Sequence, residues 1–316
     1  MTEGRSCPLD YRYDPASLCR QTAPVTEDVL YIIGGLYGNP YALDEIERVA
    51  HAEEQQGLRV RLVFNGDFNW FNVSSDLFIE INRRVLEHTV SLGNVDYELA
   101  RPTPGAGCGC AYPDFVDQEV VARSNQIITR LQSVAAEYPD IRQRLSLLPR
   151  YRCLIFGGLK ILVLHGDPES LAGWGLAHEA FADDNTGTLR RWFDATGADL
   201  IASTHTCLPV LWRGVVQGRP RAVVNNGSAG MGNLLADPRG LITRLGVSRP
   251  VAEPVASAEC AGLNVSLLPV AFDQERWLRQ FDRLWPAGSA AALSYRQRMA
   301  SGTELRQDRI VFPTGS

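Results

Sequence analysis

Five short apolar runs in this chain each stop abruptly at glycine or a polar residue: VLYIIGG (29–35), RVRLVFNGD (59–67), HTVSLGN (88–94), LKILVLHGD (159–167) and ADLIASTHT (198–206). Runs of this length, rich in β-branched residues and closed by Gly, are what buried strands require. Helices separate the first of them. Asn39 caps one helix with Pro40 at its first position, Leu43, Ile46 and Val49 share a face, and Gly57 stops it. A second helix carries Leu77, Ile79, Ile81 and Leu86. Strand and helix in alternation favour parallel strands whose functional loops gather at their carboxyl ends.

Further along, residues 101–117 (RPTPGAGCGCAYPDFVD) read as a long Pro- and Gly-rich loop, and 118–147 as helix in two pieces broken near Pro139. Residues 152–156 and 159–165 form a predicted hairpin about Gly157 and Gly158, a helix passes through Leu189 and Trp192, VLWRGVVQGRPRAVVNNGS is another hairpin, and LNVSLLPVAFD alternates as a last strand. The expected organisation is an N-terminal extension (1–27), a main domain (28–284) with an insertion at about 101–150, and a C-terminal tail (285–316).

Composition limits the partners. Hydrophobic residues are 45% and charged residues 21% of the 316, which excludes global disorder. A net charge of −5 argues against a broad basic face for nucleic acid. No apolar run has the length of a signal peptide or a membrane span, so neither nucleic acid nor membrane is expected as a partner and the expected location is the cytoplasm. Arginine outnumbers lysine so heavily that Lys160 is the only lysine, a bias of G+C-rich coding that suggests a bacterial source. Seven cysteines, an odd number without a secretory signal, are expected to be mostly reduced.

Asp67, Asn94, His165 and His205 each fall at or just past the end of a predicted strand. Short Gly-polar pairs usually mark turns, but four strand ends can converge on one point. A carboxylate, an amide carbonyl and two imidazoles suit Zn, Mn or Fe better than Mg, which avoids imidazole. The two thiols of Cys108 and Cys110 could stand over such a metal or belong to an ordinary loop, and Asp167 is placed to orient His165. Tyr11, Arg12 and Tyr13 could clamp an aromatic phosphate or simply pack on the core.

In order and spacing these motifs resemble the calcineurin-like metallophosphoesterase superfamily: GGLYG at 34–38, GDFNW at 66–70, GNVD at 93–96, LHGD at 164–167, THTCLP at 204–209 and NNGSAG at 225–230. The resemblance covers about residues 28–272. It implies an α/β fold, a four-layer α/β/β/α sandwich of two mixed sheets flanked by helices. It also implies two metal sites, of which one is carried by Asp67, Asn94, His165 and His205 and is complete. The other would fall on Gly35, Tyr37, Asp67 and Cys207 and has three of four ligands changed, unless Tyr37 and Cys207 rebuild it. The expected cofactor is therefore one divalent transition metal per chain.

Where the superfamily places a leaving-group histidine this chain has Val95, so Asp96 and His178 become the candidate catalytic acids, with Asp96 equally placed to orient its loop through backbone hydrogen bonds. The function implied is a metal-dependent hydrolase of phosphoesters or phosphoanhydrides acting on a small phosphorylated substrate. The alternatives are a non-catalytic scaffold of the same fold with a protein partner, and a single-metal enzyme of another reaction type.

Overall fold

The computed structural model describes residues 3–182 and 185–312. Its strands, in chain order, are β1 (Ala23–Pro24), β2 (Val29–Ile33), β3 (Val60–Asn65), β4 (Thr89–Ser91), β5 (Tyr151–Phe156), β6 (Leu159–Leu164), β7 (Leu200–Ser203), β8 (Pro209–Val216), β9 (Arg219–Asn226), β10 (Gly240–Gly246), β11 (Ala256–Cys260), β12 (Leu263–Val270) and β13 (Val311–Phe312). Among the described residues they form two mixed sheets, ordered β11-β12-β10-β2-β3-β4 and β1-β5-β6-β7-β9-β8-β13. Within them β2, β3 and β4 run parallel, as do β6, β7 and β9.

Both faces of each sheet are covered, which is why the strands read as continuous apolar runs rather than alternating ones. In β2, Leu30 and Ile32 face the second sheet, where they meet Ile161, Val163, Leu200 and Val224. Val29, Tyr31 and Ile33 face the other way, into a core closed by the helices α1 (Pro40–Glu54), α2 (Ser75–Val85), α4 (Gln118–Ala136), α8 (Gln274–Leu284) and α9 (Ala290–Ser301). The outer side of the second sheet packs Leu162, Leu164 and Ile201 on Leu189, Trp192 and Phe193 of α7 (Thr186–Thr196). Two mixed sheets between two helical layers is the architecture expected from the sequence.

The helices begin where their capping chemistry dictates. The Asn39 side chain accepts from the backbone N–H of Tyr41 and Ala42, Pro40 follows it, and Asp117 accepts from Glu119 at the start of α4. α3 (Asn94–Ala100) and α5 (Pro139–Ser146) pack on α4 and on each other. The segment read as a C-terminal tail contains α9, whose Ala291 and Met299 are buried, and Ile310, which is fully buried.

Two cysteine pairs correct the expectation of mostly reduced thiols. Cys19 is bonded to Cys153, joining the N-terminal extension to β5, and Cys108 is bonded to Cys110. Cys7, Cys207 and Cys260 are free. The spacing rules missed the first pair because its partners are 134 residues apart and meet only through the fold.

Candidate metal centre

The carboxyl ends of β3, β4, β6 and β7 deliver Asp67, Asn94, His165 and His205 to one place. The two sheets are joined there by Asn65, whose Nδ2 donates to the Leu164 carbonyl at 2.7 Å. Asp67 takes a left-handed backbone, φ 54°, which brings its carboxylate against the next loop. Gly93 is glycine for want of room: a Cβ there would stand 2.2 Å from Asp67 Oδ1. The Val95 N–H donates to that same oxygen at 3.0 Å.

His165 Nε2 is the hub. Asp67 Oδ2 lies 3.3 Å from it, Asn94 Oδ1 3.1 Å and His205 Nδ1 3.2 Å. Four donors around an ion at 2.0–2.1 Å in a tetrahedron are roughly 3.3 Å apart; the three distances to His165 Nε2 have that length, and the ligand atoms of Asp67, His165 and His205 all lie within 4.8 Å of one another. The tautomers suit an ion as well. The backbone carbonyl of Asn65 lies 2.9 Å from His165 Nδ1 and that of Cys110 lies 3.1 Å from His205 Nε2. A carbonyl only accepts, so those two ring nitrogens carry the hydrogens and turn the lone pairs of His165 Nε2 and His205 Nδ1 inward. Two lone pairs, a carboxylate oxygen and an amide oxygen then converge, and only a proton or a metal cation can bridge them. The residues present fit a divalent metal.

Electrostatics follow from this crowding. Burial opposes charge on Asp67, but His165, His205 and the Val95 N–H outweigh it and hold its pKa below the usual carboxylate value. Burial and the neighbouring His165 push His205 down to about 3. His165 loses to burial but gains more from Asp67, and its pKa rises. Among the described residues, Asp67, His165 and His205 are the one group of three or more His, Cys, Asp and Glu side chains close enough to hold an ion.

The positions where the superfamily's other metal site would fall are organised differently. Tyr37 Oη and Cys207 Sγ hydrogen-bond to each other at 2.7 Å. Burial raises the pKa of both, keeping them neutral. Gly35 has φ 64°, donates its N–H to the Gly66 carbonyl and accepts from the Gly230 N–H, so it serves the backbone only.

The structure gives the other candidate residues the following surroundings. Asp96 is fully buried; its Oδ2 accepts from the N–H of Asp67 at 2.6 Å and of Gly93 at 3.3 Å, and its Oδ1 from Asn69 at 3.0 Å. Burial and the adjacent Asp67 push it up to about 7, but both its oxygens are occupied in holding the two metal loops together. His178 lies away from the centre, with Nε2 2.9 Å from the Arg309 carbonyl and its ring against Phe312. Asp167 accepts from the N–H groups of Glu169, Ser170 and Gly175, ordering its own loop, while the Asn65 carbonyl orients His165. Tyr11 is buried with its hydroxyl on Glu98, and Tyr13 donates to the Arg150 carbonyl, so neither clamps a ligand at the centre.

A cavity of about 200 Å³ opens beside the ligands. Its walls include Asp67, Asn94 and His205, the apolar or aromatic Val95, Trp70, Tyr112, Trp174 and Tyr295, and Cys110, Cys207 and Arg298. Arg298 escaped the sequence reading. It arrives on α9, where its Nε donates to the Gly232 carbonyl at 2.8 Å and its Nη2 to that of Cys207. Trp174 donates its indole N–H to the Cys110 carbonyl and sets its ring edge-on to His205.

No family model and no curated protein matches the chain. Solved structures do. A hypothetical protein, PH1004, from Pyrococcus horikoshii OT3 superposes with a TM-score of 0.59 at 15% identity, covering 87% of this chain and 99% of that one. A metallophosphoesterase from Sphaerobacter thermophilus superposes with a TM-score of 0.52 at 18% identity, covering 88% and 100%. At these identities the likeness is one of fold alone: the chain shares the two-sheet fold of that metallophosphoesterase. Among the described residues no helix is long and apolar enough to cross a membrane.

Proposed function

We propose that the protein is a metal-dependent phosphoesterase that holds one divalent transition ion on Asp67, Asn94, His165 and His205. The observation that carries the reading is the inward turn of both imidazole lone pairs, fixed from outside by the Asn65 and Cys110 carbonyls, beside Tyr37 and Cys207, which bond to each other, Cys207 also donating to the His205 carbonyl. When bound, the ion supplies Lewis-acid polarisation of a phosphoryl oxygen and a water of lowered pKa.

The chain's own residues do the rest. Arg298 brings a fixed positive charge to a wall of the cavity, the natural partner of a phosphoryl group. The aromatic side chains exclude water and leave room for a small substrate. Val95 lines the cavity and has no proton to give, so the substrate class is one whose leaving group departs as a stable anion. Aryl phosphates and phosphoanhydrides meet that requirement.

The test is metal analysis of protein purified without added metal, followed by assay against phosphate mono- and diesters. One ion per chain with turnover of activated phosphates supports the reading. A filled site with no turnover would favour the scaffold alternative.

A further inference from the structure

The loop containing Cys108, Gly109 and Cys110 reaches the metal ligands through its backbone. The Cys108 carbonyl accepts from Asn94 Nδ2 at 2.9 Å, which directs Asn94 Oδ1 toward His165. The Cys110 carbonyl meets His205 Nε2 at 3.1 Å, which directs His205 Nδ1 to the same point. Two of the four ligands are thus oriented by two carbonyls with a single residue between them, and a bond between the flanking sulfurs joins the residues that carry them. Gly109 makes the geometry attainable: its φ is +67°, and a Cβ there would lie 2.2 Å from Tyr11 Oη. Trp174 secures the far side by donating to the Cys110 carbonyl at 3.0 Å.

We propose that the Cys108–Cys110 pair is a redox modification site whose disulfide form positions Asn94 and His205 and so sets how tightly the metal is held. The inference rests on the metal reading above and goes beyond it. Closing the bond takes two hydrogens and two electrons from the thiols and passes them to a low-molecular-weight disulfide, which leaves as two thiols. A dithiol reverses the exchange. Opening it frees the two carbonyls to move independently, and Asn94 and His205 lose their fixed orientation. Groups that orient metal ligands in this way typically carry about 10- to 100-fold in affinity.

The experiment is a cobalt(II) titration of the full chain, followed by visible absorption, before and after reduction with a phosphine. Alkylation and peptide mapping identify which bonds have opened. The double variant Cys108→Ser/Cys110→Ser, which keeps both carbonyls and the Cys19–Cys153 bond, is titrated alongside. The expected result is that reduction weakens cobalt binding at least about tenfold, and that the variant binds as weakly as the reduced protein and ignores the phosphine. Equal affinity in both redox states overturns the proposal while leaving the metal site intact. Tighter binding on reduction, with sulfur-to-cobalt charge-transfer absorption, also overturns it and makes the thiols ligands instead. Failure of the oxidised protein to bind cobalt at all overturns the metal reading, and this one with it.

Discussion

Tyr37 Oη and Cys207 Sγ lie 2.7 Å apart, and both residues hold left-handed backbones, with φ of 55° and 61°. Non-glycine residues in that region cost of order 1–3 kcal/mol each and persist where the surroundings over-determine them, commonly at functional sites. Here two turns that resemble ligand-bearing turns are kept in shape while their side chains pair with each other. Arg298 adds a hydrogen bond to the Cys207 carbonyl, so the closed pair also anchors the residue best placed to meet an anion.

The first expectation is therefore one ion per chain. Asp67→Asn, His165→Ala or His205→Ala should weaken binding by more than about 100-fold, since losing a ligand exceeds the loss of a group that merely orients one. Cys207→Ser keeps a hydroxyl for Tyr37 and should leave stoichiometry at one. Inductively coupled plasma mass spectrometry on the wild type and these variants decides it; two ions per chain, falling to one in Cys207→Ser, would show a rebuilt first site.

The second concerns Arg298. Hydrogen bonds to charged groups are worth about 1.5–3 kcal/mol, so Arg298→Ala should lower kcat/KM on a phosphate ester by roughly 10- to 150-fold while metal content stays unchanged. Arg298→Lys should rescue only part of this, because an ammonium cannot hold the Gly232 and Cys207 carbonyls and still present a planar fork. An unchanged kcat/KM in Arg298→Ala removes the residue from the site.

The candidate metal ligands are legible because each ends a strand, and strand ends are where a parallel sheet delivers side chains. Asp67, Asn94, His165 and His205 needed only β3, β4, β6 and β7 to be recognised. Arg298 was not legible: α9 begins more than 80 residues after the last ligand and bears no local mark of what it packs on. For Asp96 the sequence offers two roles, an acid or a loop-orienting acceptor, and does not choose between them, since the partners that decide it are backbone N–H groups, which every residue has. His178 misled because it opens a five-residue helix that the fold turns toward Arg309 and Phe312. Cys108 and Cys110 were read as thiols, whereas it is their carbonyls that touch the ligands.

The third expectation is thermal. The Cys19–Cys153 bond spans 134 residues, and loops of that size give about 5 kcal/mol in the chain-entropy model, with about 2–5 kcal/mol typical of native bonds. Cys19→Ser/Cys153→Ser should lower Tm by roughly 4–20 °C at 2–4 °C per kcal/mol, leaving cobalt affinity unchanged. Differential scanning calorimetry with and without reductant measures it, and a variant as stable as the wild type would show that the bond contributes nothing.

A buried ion pair supplies the fourth. Arg244 is fully buried and gives Nε and Nη2 to Glu53 Oε1 and Oε2 at 2.7 and 3.0 Å, and Tyr31 donates to Glu53 Oε1 at 2.8 Å. Removing one partner strands a charge in the core, so Glu53→Ala should cost about 3–5 kcal/mol. Glu53→Ala/Arg244→Met should recover much of that. Urea denaturation of the single and double variants tests it: a double variant less stable than either single one would contradict the account.

The last expectation turns on the leaving group. Val95 lines the cavity and is nearly fully buried, at 1% exposure, and both oxygens of Asp96 are already engaged by N–H donors. An alkoxide leaving near neutral pH needs a proton, and general acid catalysis supplies roughly 10²- to 10⁴-fold where a donor exists. A nitrophenolate or a phosphate leaves with little help. Rates on 4-nitrophenyl phosphate or a phosphoanhydride should therefore exceed those on a simple alkyl phosphate by more than leaving-group pKa explains in an enzyme equipped with an acid. Plotting log kcat/KM against leaving-group pKa for a series of aryl and alkyl esters measures this as a slope. A steep slope supports an unassisted departure. A flat one would mean that a proton donor reaches the ester oxygen after all, and Val95→His, which in the first case should flatten the plot, would then leave it unchanged.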